Sequence, residues 1–294
     1  MRDDTKIWRK LLALALGLAL FALAPGCHRA KKKKKMPKRA AAPAGQMAAA
    51  SAGPLPAKPT SALAAKEVGR PAGAVRWKAV IMTGDDSIPA FDNARKRIKE
   101  IWIARGLRAG DVRELSMTPA EQKGAVGASS AAGLRKALTS LAVKSGEGCL
   151  VYLTSHGAPW GFYLRGQPAL SPAALGKMLG EACGEQPTIV LVSACFSGIF
   201  TGKAVAAKNR VVLTAARDDR SSFGCGIENE FTFWDACLID QLPTAASARG
   251  LANALDSCIR SKERERHLSF SYPQASVGSA MTHAVLFDNP ADAE

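Results

Sequence analysis

The sequence predicts an α/β domain with a mainly parallel sheet covered on both faces. Three observations predict it. From residue 75 onward, short β-rich runs alternate with stretches of helical spacing. Two of those runs, 149–154 (CLVYLT) and 188–194 (TIVLVSA), are unbroken apolar sequences, the signature of strands buried on both faces. Hydrophobic residues make up 47% of the chain, enough for a full-sized core and too many for global disorder.

The elements follow in order. WKAVIM at 77–82 reads as the first strand. Residues 90–105 have helical spacing, with Phe91, Ile98, Ile101 and Trp102 on one side. A short second strand covers 112–115, and a helix over 129–143 starts on Ser129 or Ser130 as its cap. After the strand at 149–154, a helix over 171–183 carries Pro172 in its first turn, where a missing N–H costs nothing. The strand at 188–194 is followed by another at 211–215, and helices cover 231–242 and 247–260. Phe233 and Trp234 read as core.

The N-terminal quarter is different. The 294 residues carry a net charge of +15, which taken whole suggests an acidic partner. Residues 1–75 hold 15 Lys+Arg against 3 Asp+Glu, whereas 76–294 hold 25 against 22. The basic excess therefore belongs to the leader. Arg2, Lys6, Arg9 and Lys10 precede an apolar run of 14 residues at 11–24, short for a spanning helix and suited to a signal peptide over 1–27. Two processing readings compete, beside an uncleaved N-terminal membrane anchor. A cut after Ala24 leaves Pro25 at the new N-terminus, where proline hinders cleavage. The stretch Leu-Ala-Pro-Gly-Cys ending at Cys27 instead resembles a bacterial lipoprotein signal, which implies lipidation of Cys27 and a place in the bacterial cell envelope facing the periplasm. The lysines at 31–35 pull the other way, because positive charge beside an apolar run favours cytoplasmic retention.

Residues 28–74 read as a disordered Lys/Ala/Pro-rich linker, without aromatic residues or a steady apolar period. Its lysine run is a solvated tether or a contact with anionic lipid headgroups beside the anchor. Nucleic acid is not the expected partner, because no aromatic residue interleaves the charges to stack on bases. The globular domain is expected over 75–290.

In open α/β sheets, sites lie just beyond the carboxyl ends of strands. The strand at 149–154 runs into Ser155-His156-Gly157, and the strand at 188–194 into Cys195-Phe196-Ser197-Gly198. A His and a Cys thus occupy equivalent places, as a thiol nucleophile and its base require. The imidazole takes the thiol proton or holds the thiolate as an ion pair. The backbone N–H groups of Gly157 and Cys195 are candidate oxyanion donors. Rivals are few. His267 and His283 sit late in ordinary polar sequence, no G-x-S-x-G is present, and no C-x-x-C pair offers a metal or redox site. The stretch 198–203 is one residue short of a phosphate loop.

Thr154-Ser155-His156-Gly157 and Ser193-Ala194-Cys195-Phe196-Ser197-Gly198 together resemble the legumain-like cysteine peptidases, within the caspase-type group that also holds metacaspases and gingipains. The likeness covers most of 77–280. It extends to the loop after the first strand (Gly84-Asp85-Asp86-Ser87) and to Thr214-Ala215-Ala216-Arg217…Ser221-Ser222-Phe223 beside the primary specificity pocket. The resemblance implies a caspase-like three-layer sandwich and a cysteine endopeptidase acting on peptides or proteins through a thioester acyl-enzyme. It also implies no metal or organic cofactor and a dyad without an obligatory third member. By carry-over His156 is the base, Cys195 the nucleophile, and Gly157 and Cys195 the oxyanion hole.

Two positions depart from the family. Phe196 stands where legumains place an acidic residue, and Asp86-Ser87-Ile88-Pro89 has no counterpart of their Arg-His, so a preference for asparagine is not carried over. Ser222 is a candidate pocket wall. Asp218 and Asp219 either select a basic residue or are solvated loop carboxylates. Trp160, Phe162 and Tyr163 follow the histidine on an expected hairpin, as a groove wall or as cover for the sheet edge. Cys149, Cys183, Cys225, Cys237 and Cys258 read by default as buried thiols, with one disulfide allowed if the domain is exported. Two other uses of the same residues stay open: a transpeptidase or ligase sharing the acyl-enzyme, and a non-catalytic anchored binding module.

Overall fold

The computed structural model describes residues 75–282. The signal, the lipidation site at Cys27, the linker over 28–74 and the last residues of the expected 75–290 domain lie outside them.

The chain builds strands β1 (Arg76–Thr83), β2 (Val112–Ser116), β3 (Val126–Ala128), β4 (Glu147–Thr154), β5 (Gly157–Ala158), β6 (Gly161–Phe162), β7 (Thr188–Ser193), β8 (Arg210–Thr214) and β9 (Gln274–Val277). Its α-helices are α1 (Ala90–Ala104), α2 (Ala131–Ser140), α3 (Pro172–Cys183), α4 (Phe233–Gln241) and α5 (Ala248–Glu265). The main sheet has the order β3-β2-β1-β4-β7-β8-β9, with β5 and β6 forming a separate ribbon. Every pairing in the main sheet is parallel except β8–β9. The mainly parallel, helix-covered sheet predicted from the apolar runs is the one observed.

Strand alternation divides the core into two layers. Ile81, Tyr152, Leu191 and Leu213 face α1, α4 and α5, where they pack with Trp102, Trp234 and Leu255. Met82, Val151, Val190 and Val212 face α2 and α3 and pack with Leu138 and Leu179. Phe233 and Trp234 are core, as expected.

The helices begin where short polar side chains supply a cap. Ser130, not Ser129, caps α2 by accepting from the Gly133 N–H at 2.8 Å, and Ser171 caps α3 by accepting from the Ala174 N–H at 3.2 Å. Pro172 follows in the first turn of α3. Thr232 and Ser247 cap α4 and α5 in the same way.

The default reading of the cysteines does not hold. Cys149 of β4 is bonded to Cys183 at the end of α3, and Cys237 of α4 to Cys258 of α5. Each bridge ties one element to its packing partner, across 34 and 21 residues of chain respectively. Loop-closure entropy puts the stabilisation of each at about 3–4 kcal/mol. Cys195 and Cys225 are outside the bridges.

A buried ionic cluster fixes α1 to the end of β2. Arg95, 2% exposed, meets the carboxylates of Asp92, Glu114 and Glu121, and Asp92 also accepts from the Ser116 and Thr118 hydroxyls. A guanidinium is tolerated at such depth only when its donors are met in this way.

Candidate active site

The apolar runs of β4 and β7 lie side by side in register, with Thr154 opposite Ser193. The ladder extends one step further, the Ser155 N–H donating to the Ser193 carbonyl at 3.1 Å. His156 and Cys195 are each two residues past that last pair, so strand register alone brings their backbones to the same level. Gly157 seals the approach. A Cβ there would sit 1.9 Å from the carbonyl oxygen of Cys195 and 3.0 Å from the Ala194 Cβ. Only glycine lets the two strand ends close this tightly.

The imidazole of His156 is 32% exposed and is held from several sides. Its Nε2 lies 3.4 Å from the Ser87 Oγ and 3.9 Å from a carboxylate oxygen of Asp85. Asp85 is buried and is fixed by the Ser87 N–H, which donates to it at 2.7 Å. Phe91 and Tyr163 meet the imidazole ring edge-on, with centroids 5.2 and 6.2 Å away. Asp85 and Ser87 stand just beyond the carboxyl end of β1, the strand beside β4. Sequence reading quoted both residues only as part of a similar loop. Their rank just past a buried strand was the signal that could have singled them out.

Cys195 is 3% exposed. The Ser222 N–H donates to its sulfur at 3.3 Å, and the Ser222 hydroxyl and carbonyl oxygens each lie 3.6 Å from it. A backbone N–H aimed at sulfur favours the thiolate, while the carbonyl accepts from the thiol. Phe196 then takes a left-handed conformation, φ 58° and ψ 13°. A bulky residue rarely adopts it, and here it breaks the strand sharply so that the chain turns away from the sulfur.

The loop after β8 is fastened to this turn. The Phe196 N–H donates to the Arg220 carbonyl at 2.7 Å, and the Ser197 hydroxyl accepts from the N–H groups of Ala215 and Ala216. Gly198 packs so closely that a Cβ would meet the Asp218 nitrogen at 2.5 Å. The stretch 198–203 thus braces the site rather than cradling a phosphate.

Of the candidate substrate-binding residues, the structure brings only Ser222 onto the sulfur. The Asp219 carboxylate is taken by the Arg217 guanidinium at 2.6 and 2.8 Å, which holds it below the usual carboxylate range. Arg217 and Arg220 in turn lie over the Tyr272 ring. Asp218 is exposed beside them. Trp160 occupies the tip of the two-residue turn between β5 and β6 and is 70% exposed, so it covers no sheet edge. Phe162 is wholly buried and also bridges to Leu170. His267 is exposed beyond the end of α5, away from the strand ends that carry His156 and Cys195. Among the described residues no cluster of His, Cys, Asp and Glu has the makings of a metal site.

A mostly parallel central sheet with helices on both faces defines the class of fold, the caspase-like α/β sandwich. Residues 127–257, a segment containing both strand ends, match the model of the Peptidase C13 family, the legumain family, which supports a cysteine peptidase. The structure of pro-sf-caspase-1 shares the fold, with a TM-score of 0.50 and 13% identity over 75% of this chain and 100% of that one. That of drICE aligns with a TM-score of 0.46 and 12% identity over 69% of this chain and 87% of that one. No curated protein matches the chain. A peptidase would act on peptide or protein substrates.

Proposed function

We propose that Cys195 is the nucleophile and His156 the base of a cysteine endopeptidase. The observation that carries this is the register of β4 and β7, which puts both residues at one level with Gly157 packed on the Cys195 carbonyl. The Cys195 sulfur attacks the scissile carbonyl carbon while its proton passes to the imidazole. The carbonyl oxygen, now negative, is received by the N–H groups of Gly157 and Cys195. Collapse breaks the C–N bond, the imidazolium protonates the departing amine, and a thioester remains. Water then attacks the thioester, giving its proton to His156; the C–S bond breaks, the carboxylic acid departs, and the imidazolium returns the proton to the sulfur. Each proton taken up by His156 creates an imidazolium, and the Asp85 carboxylate is placed to stabilise it.

The test is a peptide library incubated with the 75–282 domain. Cleavage that an alkylating agent stops, with both products carrying free ends, is the expected result. Products joined to an added amine would instead mark a transpeptidase, and an inert domain would mark a binding module.

We infer further that the domain is exported and tethered to a membrane. Two disulfides support export, because such bonds persist in oxidising compartments. In this reading Cys27 carries lipid and the lysines at 31–35 rest on anionic headgroups, each worth about 1 kcal/mol. Labelled fatty acid is expected to enter the full chain and to be lost in Cys27→Ser. Equal labelling of both would sink the lipoprotein reading.

A further inference from the structure

Below the two strand ends lies a carboxyl group that the mechanism above does not use. Asp235, in the first turn of α4, is completely buried. The groups that meet it are hydroxyls. Tyr152 donates to one carboxylate oxygen at 2.7 Å, and Thr154 and Thr232 donate to the other at 3.0 and 2.8 Å. Thr232 also accepts from the Asp235 N–H at 3.1 Å, closing the helix cap on itself. The Ser193 hydroxyl lies 3.3 Å from that of Thr232. Thr232 has one hydroxyl proton and gives it to Asp235, and the Ser193 hydroxyl, which also bonds to the carboxyl, completes the set. Every hydroxyl of the set therefore points, directly or through one neighbour, at a single carboxylate.

What makes the set more than a helix cap is where its members come from. Tyr152 and Thr154 belong to β4, and Ser193 to β7. Thr154 and Ser193 are the last paired residues before His156 and Cys195. One side chain of α4 thus holds the final rungs of both strands that carry the reacting groups. A cap alone needs only Thr232. Burying a carboxyl this deeply is costly, and burial pushes its affinity for a proton up while the hydroxyl donors work against that rise. An apolar residue would fill the same place at no such cost.

We propose that Asp235 is a positioning residue for the peptidase site, acting through Thr154 on His156 and through Thr232 and Ser193 on Cys195. It touches neither substrate nor the reacting atoms. It fixes the relative height and twist of the two strand ends, on which an in-line transfer of the thiol proton depends. The proposal rests on the assignment of His156 and Cys195 made above.

The test uses single hydroxyl deletions beside the carboxyl substitution, with a peptide that the wild-type domain cleaves. Thr154→Val and Asp235→Asn are each expected to lower kcat by about tenfold or more while KM stays within about twofold, because binding is untouched and alignment is lost. Thr154→Ser, which keeps the hydroxyl, is expected to recover most of the rate. The Thr154→Val/Asp235→Asn double variant is expected to be little worse than the worse single one, as members of one unit are. Alkylation of Cys195 by iodoacetamide should slow in step with kcat.

Wild-type kcat in Thr154→Val, or equal losses in Thr154→Val and Thr154→Ser, overturns the proposal even where melting temperatures fall. If Asp235→Asn does not fold, Thr154→Val and Ser193→Ala decide the question by the same criteria. A Cys195→Ala control separates the two levels. An inactive control with unaffected hydroxyl variants removes only the role of Asp235, whereas an active control removes the assignment beneath it.

Discussion

Replacing Cys195 by alanine is expected to lower kcat roughly 10⁴-fold or more, and replacing His156 by alanine to cost about as much. The sulfur is the atom that forms the covalent bond. Without it the N–H groups of Gly157 and residue 195 still bind a developing oxyanion, so a small residual rate survives. The two losses are not expected to add, because thiol and imidazole act as one unit. Neither substitution should unfold the domain. Cys195 lies outside both disulfides, and His156 is a third exposed. Steady-state hydrolysis of a fluorogenic peptide, checked against an unchanged far-ultraviolet circular dichroism spectrum, measures both. A Cys195→Ala protein with full activity would end the assignment.

The second large effect is expected from a single methyl group. Gly157→Ala places a Cβ 1.9 Å from the carbonyl oxygen of Cys195, where no flexible side chain can move aside. The strand ends must separate by an ångström or more. A displacement of that size at a site demanding tight alignment costs about 10²–10³-fold in kcat, since it shifts an oxyanion donor and the base together. Overpacking should also lower stability by about 1–3 kcal/mol, read as a fall in urea midpoint without a change in slope. A Gly157→Ala protein with wild-type kcat would show that the oxyanion donor lies elsewhere. Gly110, where an added Cβ would meet nothing within 4 Å, is a fitting control for the loss of a glycine as such.

The sheet was legible because β4 and β7 declare themselves by continuous apolar runs, and a parallel sheet has few ways to place two such strands. That placement carried His156 and Cys195 with it. The edge strands were not legible. Val-Gly-Ala in β3 and Gln-Ala-Ser-Val in β9 have neither alternation nor an apolar run, and they become strands only because β2 and β8 offer them an open edge. The disulfides were hidden for a related reason: a cysteine inside an apolar strand looks like any small hydrophobe until the helix above it is placed. Asp85 stood in plain view at the end of β1, but its bearing on His156 depends on β1 lying beside β4 rather than beside β7. Asp235 reads in sequence as an acid near a helix N-terminus, which is common. Its partner Tyr152 is 83 residues away along the chain, and no local pattern connects them.

The strand order also sets when this molecule can first act. His156 arrives with β4 and Cys195 with β7, the sulfur's partner Ser222 follows β8, and Asp235 is later still. Parallel neighbours such as β1 and β4 pair only after the intervening chain has been made and closed into a loop, a slow and non-local step. A ribosome-bound or truncated chain that stops before residue 235 therefore lacks the finished site. If Cys195 is the nucleophile, its thiol gains its full set of neighbours only when nearly the whole domain has been made.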